Sequence, residues 1–336
     1  MTSKMLVDAR TARPSFSFYL DHRDIARAER LAARADAVTL RGINGPRAVR
    51  ALRQKGWTGA VLFDAAGYDP GKGVDPGWWI DAQVGAHADR LLTGGRYASW
   101  GTNGLAEVFD KEATVADRYG AIPLLALDYR WLTKGLESAI ALFGSRSAPV
   151  AIVLGHRSDP LSAGGAVDGL VALIRTRPEL MLLRADHGAV GALAYGATHA
   201  GLGLKASHRH LVPPGVVARR RPGDKSPRIF VTQLLDWFTG FTVASWDASD
   251  LELTCKEECC GGEPLARFLI ERFWSDATRH NEVVLGSLAD DILNAPPNDR
   301  RRRFVEHCRS AVDFYDRLGA VGLTPKPQLE AWTFLA

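Results

Sequence analysis

A rhythm constrains this chain more than any single motif. Over its first two hundred residues it repeats a short apolar run, a polar corner, and a stretch rich in Ala, Leu and Arg. Strands are predicted over 15–20, 37–40, 60–63, 90–92, 122–127, 150–154, 180–183 and 199–203. Helices are predicted between them, over 24–35, 46–55, 80–89, 105–119, 132–143, 166–175 and 189–195. In these stretches apolar residues recur at i, i+3 and i+4, as Ile25, Ala28, Leu31 and Ala32 do, which is the stripe of an amphipathic helix. Strands alternating with helices pair in parallel through crossover connections. Eight such units predict an α/β fold, a (β/α)8 TIM barrel over residues 1–211. A doubly wound sheet is the alternative. It needs fewer strands and commonly a Gly-rich first turn, and no G-x-G-x-x-G follows the first strand.

The apolar runs end in polar residues: Asp21-His22, Arg41, Asp64, Thr93, Asp128-Tyr129-Arg130, His156-Arg157, Arg184 with Asp186, and Ser207 to His210. In a barrel these strand ends share one rim, where active sites sit. The sharpest case is 61–68, Val-Leu-Phe-Asp-Ala-Ala-Gly-Tyr. Asp64 at a strand end suits the N–H groups of a flat polar ring, Gly67 admits close backbone approach, and Tyr68 is placed to stack. The same residues also read as a strand entering a turn, with Asp64 as turn acceptor or helix cap.

After Leu211 the rhythm stops. Pro213-Pro214-Gly215 and a basic loop (Arg219, Arg220, Arg221, Lys225, Arg228) lead to an aromatic stretch, 230–241, that reads as helical. A cysteine cluster follows, then helices over 264–274, 282–293 and 301–318. Residues 212–336 are therefore expected to form a mostly helical appendage packed on the barrel. Cys255, Cys259, Cys260 and Cys308 are the only cysteines. Clustered rather than scattered, they point to metal or redox chemistry in a reducing compartment. Three thiolates and a distant imidazole suit a structural zinc ion, with Cys255, Cys260 and His280 as ligands and Cys259 or Glu257 as the fourth. Free cysteines without metal are the alternative. Net charge is +4, but arginines concentrate at 219–221 and 300–303. Arg219, Arg220, Arg221, Arg301 and Arg302 are thus candidate phosphate contacts, or a solvated face. No apolar run approaches the roughly 18 residues that cross a bilayer, and residues 1–14 lack the layout of a signal peptide. A cytoplasmic protein with no membrane partner is expected. The oligomeric state, including a homodimer, is left open.

Taken together, these pieces resemble the tRNA-guanine transglycosylase superfamily. The family motif Asp-Ser-Gly-Gly-Phe/Tyr at a strand end is similar to Asp64-Ala65-Ala66-Gly67-Tyr68. The resemblance implies a (β/α)8 barrel, with Asp64 as base and substrate-orienting carboxylate and Tyr68 stacked on the base being exchanged. The family zinc motif, Cys-x-Cys-x-x-Cys followed by a helix and His-Asn, is similar to Cys255, Cys260 and His280-Asn281. Glu257 stands where the second cysteine belongs, with Cys259 nearby. The implied ligand is a purine or 7-deazaguanine-like base, free, as a nucleoside, or within tRNA or DNA. Two departures stand out. The family nucleophile, an Asp on the last strand, has no counterpart in His199-Ala-Gly-Leu-Gly-Leu-Lys-Ala-Ser-His. A second base-reading Asp is replaced by Thr93-Gly94-Gly95. Since glycosyl transfer needs a carboxylate to stabilise or trap a cationic sugar, Asp128 and Asp186 are the candidate replacements. Arg184, Arg209 and His210 would hold a phosphate or the polar face of the base. Arg184 with Asp186 also reads as a structural ion pair. Base exchange or N-glycosidic cleavage is one expectation, and a non-catalytic nucleic-acid-binding or partner subunit of the same fold is the other.

Overall fold

The apolar runs of the first unit become strands of one curled parallel sheet. They are β1 (Ser15–Asp21), β2 (Ala37–Arg41), β3 (Val61–Asp64), β4 (Arg96–Ala98), β5 (Leu124–Asp128), β6 (Val150–Gly155), β7 (Leu180–Ala185) and β8 (His199–Gly203). The helices are α1 (Ala28–Ala32), α2 (Gly45–Arg53), α3 (Pro76–Val84), α4 (Gly104–Tyr119), α5 (Arg130–Thr133), α6 (Leu136–Gly144), α7 (Ala166–Thr176) and α8 (Gly188–Ala194). This computed structural model describes residues 14–101, 104–145, 148–217, 225–247, 253–318 and 322–335. The chain divides into two compact units, Met1–Val216 and Val217–Ala336.

Every residue of β5, β6, β7 and β8 is buried, because these strands are covered on both faces. Alternate residues point inward: Leu124 and Ala126, Ala151 and Val153, Met181 and Leu183 join Tyr19, Leu62 and Tyr68 in one core cluster. The intervening residues face helices, as where α4 packs on β5 and α8 on β7 and β8. Two-sided burial is why the strands read as unbroken apolar runs. Each fully buried Leu or Val contributes about 1.5–3 kcal/mol.

The strand order is β3-β2-β1-β8-β7-β6-β5-β4. This is the circular order of a barrel, but the described strands form no ladder between β3 and β4. Two backbone bonds cross that seam, Asp89 N–H to Val61 O (2.9 Å) and Gly67 N–H to Gly94 O (3.0 Å). The fourth strand is also displaced from its predicted place. Leu92 bridges Ile122 and Thr93 N–H still donates to Ile122 O (3.0 Å), then Gly94-Gly95 leaves the ladder, and pairing with β5 resumes only at Arg96. The Thr93 hydroxyl oxygen replaces a ladder acceptor for Leu124 N–H (2.9 Å). Buried Glu112 of α4 closes the other side through Arg96 (2.9 Å) and through Thr93 and the Gly95 amide.

Three helices differ from the sequence expectation. The stretch 24–35 becomes a 3-10 turn, His22–Arg27, followed by the short α1. The stretch 80–89 begins earlier, at Pro76, where the Asp75 carboxylate accepts from Trp78 N–H (2.8 Å). The stretch 132–143 splits at Gly135, whose close approach to Trp131 and Trp100 leaves no room for a Cβ, which would lie 2.6 and 2.7 Å from their rings.

In the second unit the aromatic stretch 230–241 is not a helix. It forms an antiparallel hairpin, β9 (Arg228–Val231) and β10 (Asp236–Thr239), running into α9 (Gly240–Asp247). The chain reverses through Thr232–Leu234 and Leu235, whose φ of 45° is left-handed. The aromatics that suggested one helical face sit on facing strands: Phe230 pairs with Trp237, ring centroids 5.4 Å apart. Residues 264–274 form two 3-10 turns rather than a helix, ahead of α10 (Trp274–Leu293), α11 (Pro297–Arg317) and α12 (Pro327–Phe334).

One histidine ties the sheet unit's stability to pH. His199, at the start of β8, is buried, with Ser15 Oγ 2.8 Å from Nδ1 and Ser17 Oγ 3.0 Å from Nε2. Burial, reinforced by Arg90, pushes its pKa down to about 3. The unfolded imidazole titrates near 6.5, so between these values the unfolded chain binds the extra proton. The contribution is complete above about pH 6.5 and is lost as pH falls toward 3. We expect stability by chemical denaturation to decline by a few kcal/mol across that window, and His199→Gln to flatten the decline. An unchanged acid limb in the variant would count against this role.

Candidate functional site

At the carboxyl ends of the strands lies a buried polar cluster centred on Asp64, which has no exposed surface. One carboxylate oxygen, Oδ1, accepts from Ala66 N–H (2.7 Å), the local turn bond of an Asx turn. The other, Oδ2, accepts from the hydroxyls of Tyr19 on β1 and Tyr68. Three donors therefore occupy a group with about four acceptor positions. Tyr68 is packed in the interior, and Arg184 lies against it, Nη1 3.4 Å from its hydroxyl and the guanidinium carbon 5.9 Å from the ring centre. Arg184 is anchored by Nε and Nη2, which donate to Ser207 O at 3.2 and 2.9 Å.

The backbone is bent to make this cluster. Ala66 and Arg184 have φ of 57° and 55°, a left-handed conformation that costs a non-glycine residue about 1–3 kcal/mol. The β7–β8 register shifts between Leu182 and Ala185, a bulge of the kind that re-aims a side chain. Here it directs Arg184 to Tyr68. Burial alone would lower the Arg184 pKa, but Tyr68, Tyr19 and Asp64 hold it above its ordinary value. Burial and the Asp64 charge raise both tyrosines. The cluster is thus an anion held by two neutral hydroxyls beside a cation.

Around it stand residues that sequence reasoning did not select as ligand contacts. Arg41, ending β2, pairs with Asp69 and lies 3.9 Å from Asp21. Burial would raise the Asp21 pKa, but hydrogen bonds from Arg23 hold it well below the usual carboxylate range. His208 sets its ring edge-on to Tyr19, centroids 5.9 Å apart. Burial, then Lys205 and Arg184, push its pKa down to about 4, so it is neutral at pH 7. Tyr19 escaped notice because a tyrosine within an apolar strand reads as core.

The other candidates lie elsewhere on the rim or have local partners. Asp128 accepts a two-pronged contact from Arg130 (2.8 Å each) and a bond from Tyr97 (3.1 Å). Asp186 accepts from Gly188 N–H at the start of α8 (2.9 Å), while the Arg184 guanidinium turns to Tyr68 and Ser207. His210 is pushed down to about 4 by burial, against Asp186, and Arg209 beside it is half-buried. Gly67 is required by packing, since a Cβ there would lie 2.7 Å from Gly94 O.

A second cluster forms in the Val217–Ala336 unit. The ligand atoms of Cys255, Cys259, Cys260 and His280 all lie within 4.8 Å of one another. A zinc ion with sulfur at about 2.3 Å and nitrogen at about 2.0–2.1 Å in tetrahedral array would set S···S near ~3.8 Å and S···N near ~3.6 Å. Cys255–Cys259 is 3.9 Å and Cys259–Cys260 3.6 Å. His280 Nδ1 lies 3.8 Å from Cys259 and 3.4 Å from Cys260. The four residues fit a tetrahedral ion. Glu257, the alternative fourth ligand, instead accepts from Ser287 (3.2 Å). His280 Nε2 donates to Phe230 O (2.9 Å), which leaves Nδ1 as the acceptor facing the thiols. Asn281 reads the same strand, accepting from Phe230 N–H (2.8 Å) and donating to Arg228 O (2.9 Å). The His-Asn pair therefore ties α10 to β9 while presenting the ligand. The loop closes through Gly262 N–H to Cys255 O (2.8 Å), with Gly261 and Gly262 at φ of 62° and 91°.

The arginine run on α11 is engaged within the protein. Arg300 donates to Ala295 O and Leu293 O, and Arg301 to Leu335 O. Arg302 pairs with Glu306 (2.8 Å) and Asp299 (3.3 Å), and Arg303 with Asp291. Arg302 stays largely exposed, and such surface pairs are worth little. Arg219, Arg220 and Arg221 lie outside the described residues. Among the described residues no helix is long and apolar enough to cross a membrane. Neither a scan of protein-family models nor a search of curated proteins finds a match to this chain.

The metal reading predicts about one tightly held ion per chain by elemental analysis. Cys255→Ser or His280→Ala should lower that content and, with chelator treatment, lower the melting temperature of this unit. Metal-free protein of unchanged thermal stability would contradict it.

Proposed function

We propose that this chain is a transglycosylase-like protein: a (β/α)8 barrel open at one seam, with a structural zinc site, whose strand-end mouth binds a purine or 7-deazapurine base. The reading rests above all on the Asp64–Tyr19–Tyr68–Arg184 cluster, held by two left-handed residues at the carboxyl ends of parallel strands. Among the described residues of the sheet unit, Ala66 and Arg184 place two of three left-handed non-glycine residues at that rim, with buried Asp21, Asp64, Asp128, Arg184 and Asp186. Left-handed His87 and buried Arg177 lie at the other, and clustering of this kind marks sites built for ligands. Because Asp64 has no exposed surface, a base reaches it by displacing a tyrosine hydroxyl. That exchange replaces an O–H donor with a ring N–H and leaves no buried charge unpaired. Arg184 would face the carbonyl side of the base, and its sugar would extend toward the rim. Base exchange or N-glycosidic cleavage within tRNA, DNA or a nucleoside is the proposed chemistry. The zinc ion would supply rigidity to the loop at 255–262 and take no part in the reaction.

A second reading has its own support. Asp64, Asp128 and Asp186 are each engaged by protein donors, and β8 ends without a carboxylate. A fold of this kind that binds nucleic acid or a partner without exchanging bases agrees with that arrangement.

Incorporation of labelled guanine or 7-deazaguanine into tRNA and duplex DNA, with base affinity measured alongside, separates the two. We expect Asp64→Asn to weaken base binding about tenfold or more, since a bond to a charged acceptor is worth roughly 1.5–3 kcal/mol. Nucleic-acid binding without incorporation supports the second reading. Absence of base binding in the wild-type protein removes the first.

If Arg219, Arg220, Arg221, Arg301 and Arg302 contact phosphates, affinity for tRNA or duplex should fall steeply with salt, and charge reversal at Arg220 and Arg221 should weaken all sequences alike. No binding at low salt would redirect the search to small-molecule substrates.

A further inference from the structure

Arg267, in the 3-10 turn Leu265–Leu269 that follows the cysteine loop, is the one cation in hydrogen-bond contact with the metal-ligating atoms among the described residues. Its Nη2 lies 3.1 Å from Cys260 Sγ, and Nη1 pairs with Glu263. Its guanidinium carbon sits 4.7 Å from the ring centre of Phe268, which itself packs against the His280 ring at 5.5 Å. The side chain is therefore held by its sulfur contact, its ion pair and its stacking.

The charge at the site explains why a cation belongs there. Three thiolates, a neutral imidazole and a divalent ion sum to a net charge of −1 in a largely buried site, and Arg267 offsets it. Glu263 would restore the negative charge, but its side chain is 61% exposed and is screened by water. The donation is also unequal. Cys260 receives the N–H···S bond, whereas the hydrogen-bond contacts of the Cys259 sulfur are to Cys255, Cys260 and His280. Cys259 is also the more exposed of the two. A hydrogen bond to a metal-bound sulfur withdraws the electron pair that an electrophile would attack, and outer-shell donors tune metal affinity.

We propose that Arg267 is the charge-compensating donor of the metal centre, and that it divides the thiolates by reactivity, shielding Cys260 and leaving Cys259 as the first to be modified.

The test uses zinc-loaded full-length protein. Zinc affinity is measured by chelator competition. Alkylation by iodoacetamide, in which the thiolate sulfur bonds to carbon and iodide leaves, is mapped by mass spectrometry over time. In the wild-type protein Cys259 should be alkylated first. Arg267→Gln should weaken zinc binding about 10–100-fold and bring Cys260 up to the rate of Cys259. Arg267→Lys, which keeps the charge, should recover much of the affinity, and it carries the test should Arg267→Gln fail to fold. Glu263→Gln should leave the order of alkylation unchanged. A purely structural arginine would, on removal, speed all three cysteines alike without changing their order, and that result would overturn the proposal. Equal rates at Cys259 and Cys260 in the wild-type protein, or failure to take up zinc at all, would overturn it as well.

Discussion

A carboxylate with no access to water must be fully bonded, because removing an unpaired charge from solvent costs several kcal/mol. Asp64 is such a group, and its requirements shape the mouth of the sheet. Its Oδ1 takes the Ala66 amide, so the chain must turn at once into a left-handed residue. Its Oδ2 takes Tyr19 and Tyr68, so β1 and the turn after β3 must converge. Tyr68 in turn lies against Arg184, which reaches it through the shifted register of β7 and β8. Asp64→Ala would therefore strand two buried hydroxyls and weaken the compensation of Arg184. Asp64→Asn keeps a hydrogen-bonding group of similar shape, which makes it the better probe of binding.

The second unit obeys the same rule with different chemistry. Three thiols crowd within contact of an imidazole whose far nitrogen is already committed to Phe230. Deprotonated and bound to a cation, they would satisfy one another. Asn281, the next residue of α10, secures β9 by two bonds. The strand that positions His280 is thus held by the next residue in sequence, which accounts physically for a His-Asn pair.

Residues with local or two-sided constraints were readable in advance. Strands β3 and β5 to β7 were visible because burial on both faces leaves a nearly unbroken apolar run, and β1, β2 and β8 because only small polar residues or a terminal His199 interrupt theirs. The cysteine–histidine cluster that could hold a metal was visible because Cys255, Cys259 and Cys260 fall on one short loop. Where outcomes depended on distant partners, reading failed. The fourth strand begins later than its apolar run because Gly94-Gly95 leaves the ladder, with distant Glu112 bonded to the flanking Thr93 and Arg96. The β9–β10 hairpin passed for a helix because a run of aromatics carries no clear period until its turn is known. Tyr19 and Arg267 gave no signal at all, since a hydroxyl meeting a carboxylate across strands, or a guanidinium meeting a sulfur, has no spacing signature.

On the proposed function, the strand-end cluster is a ligand site in which a base takes the place of a tyrosine hydroxyl on Asp64. Diffraction from crystals equilibrated with guanine tests this most directly. A planar base should then sit with its N–H edge on Asp64, one tyrosine hydroxyl moved away, and Arg184 still anchored to Ser207. Asp64 still bonded to both Tyr19 and Tyr68 at saturating guanine, with the base absent or bound elsewhere, would contradict it.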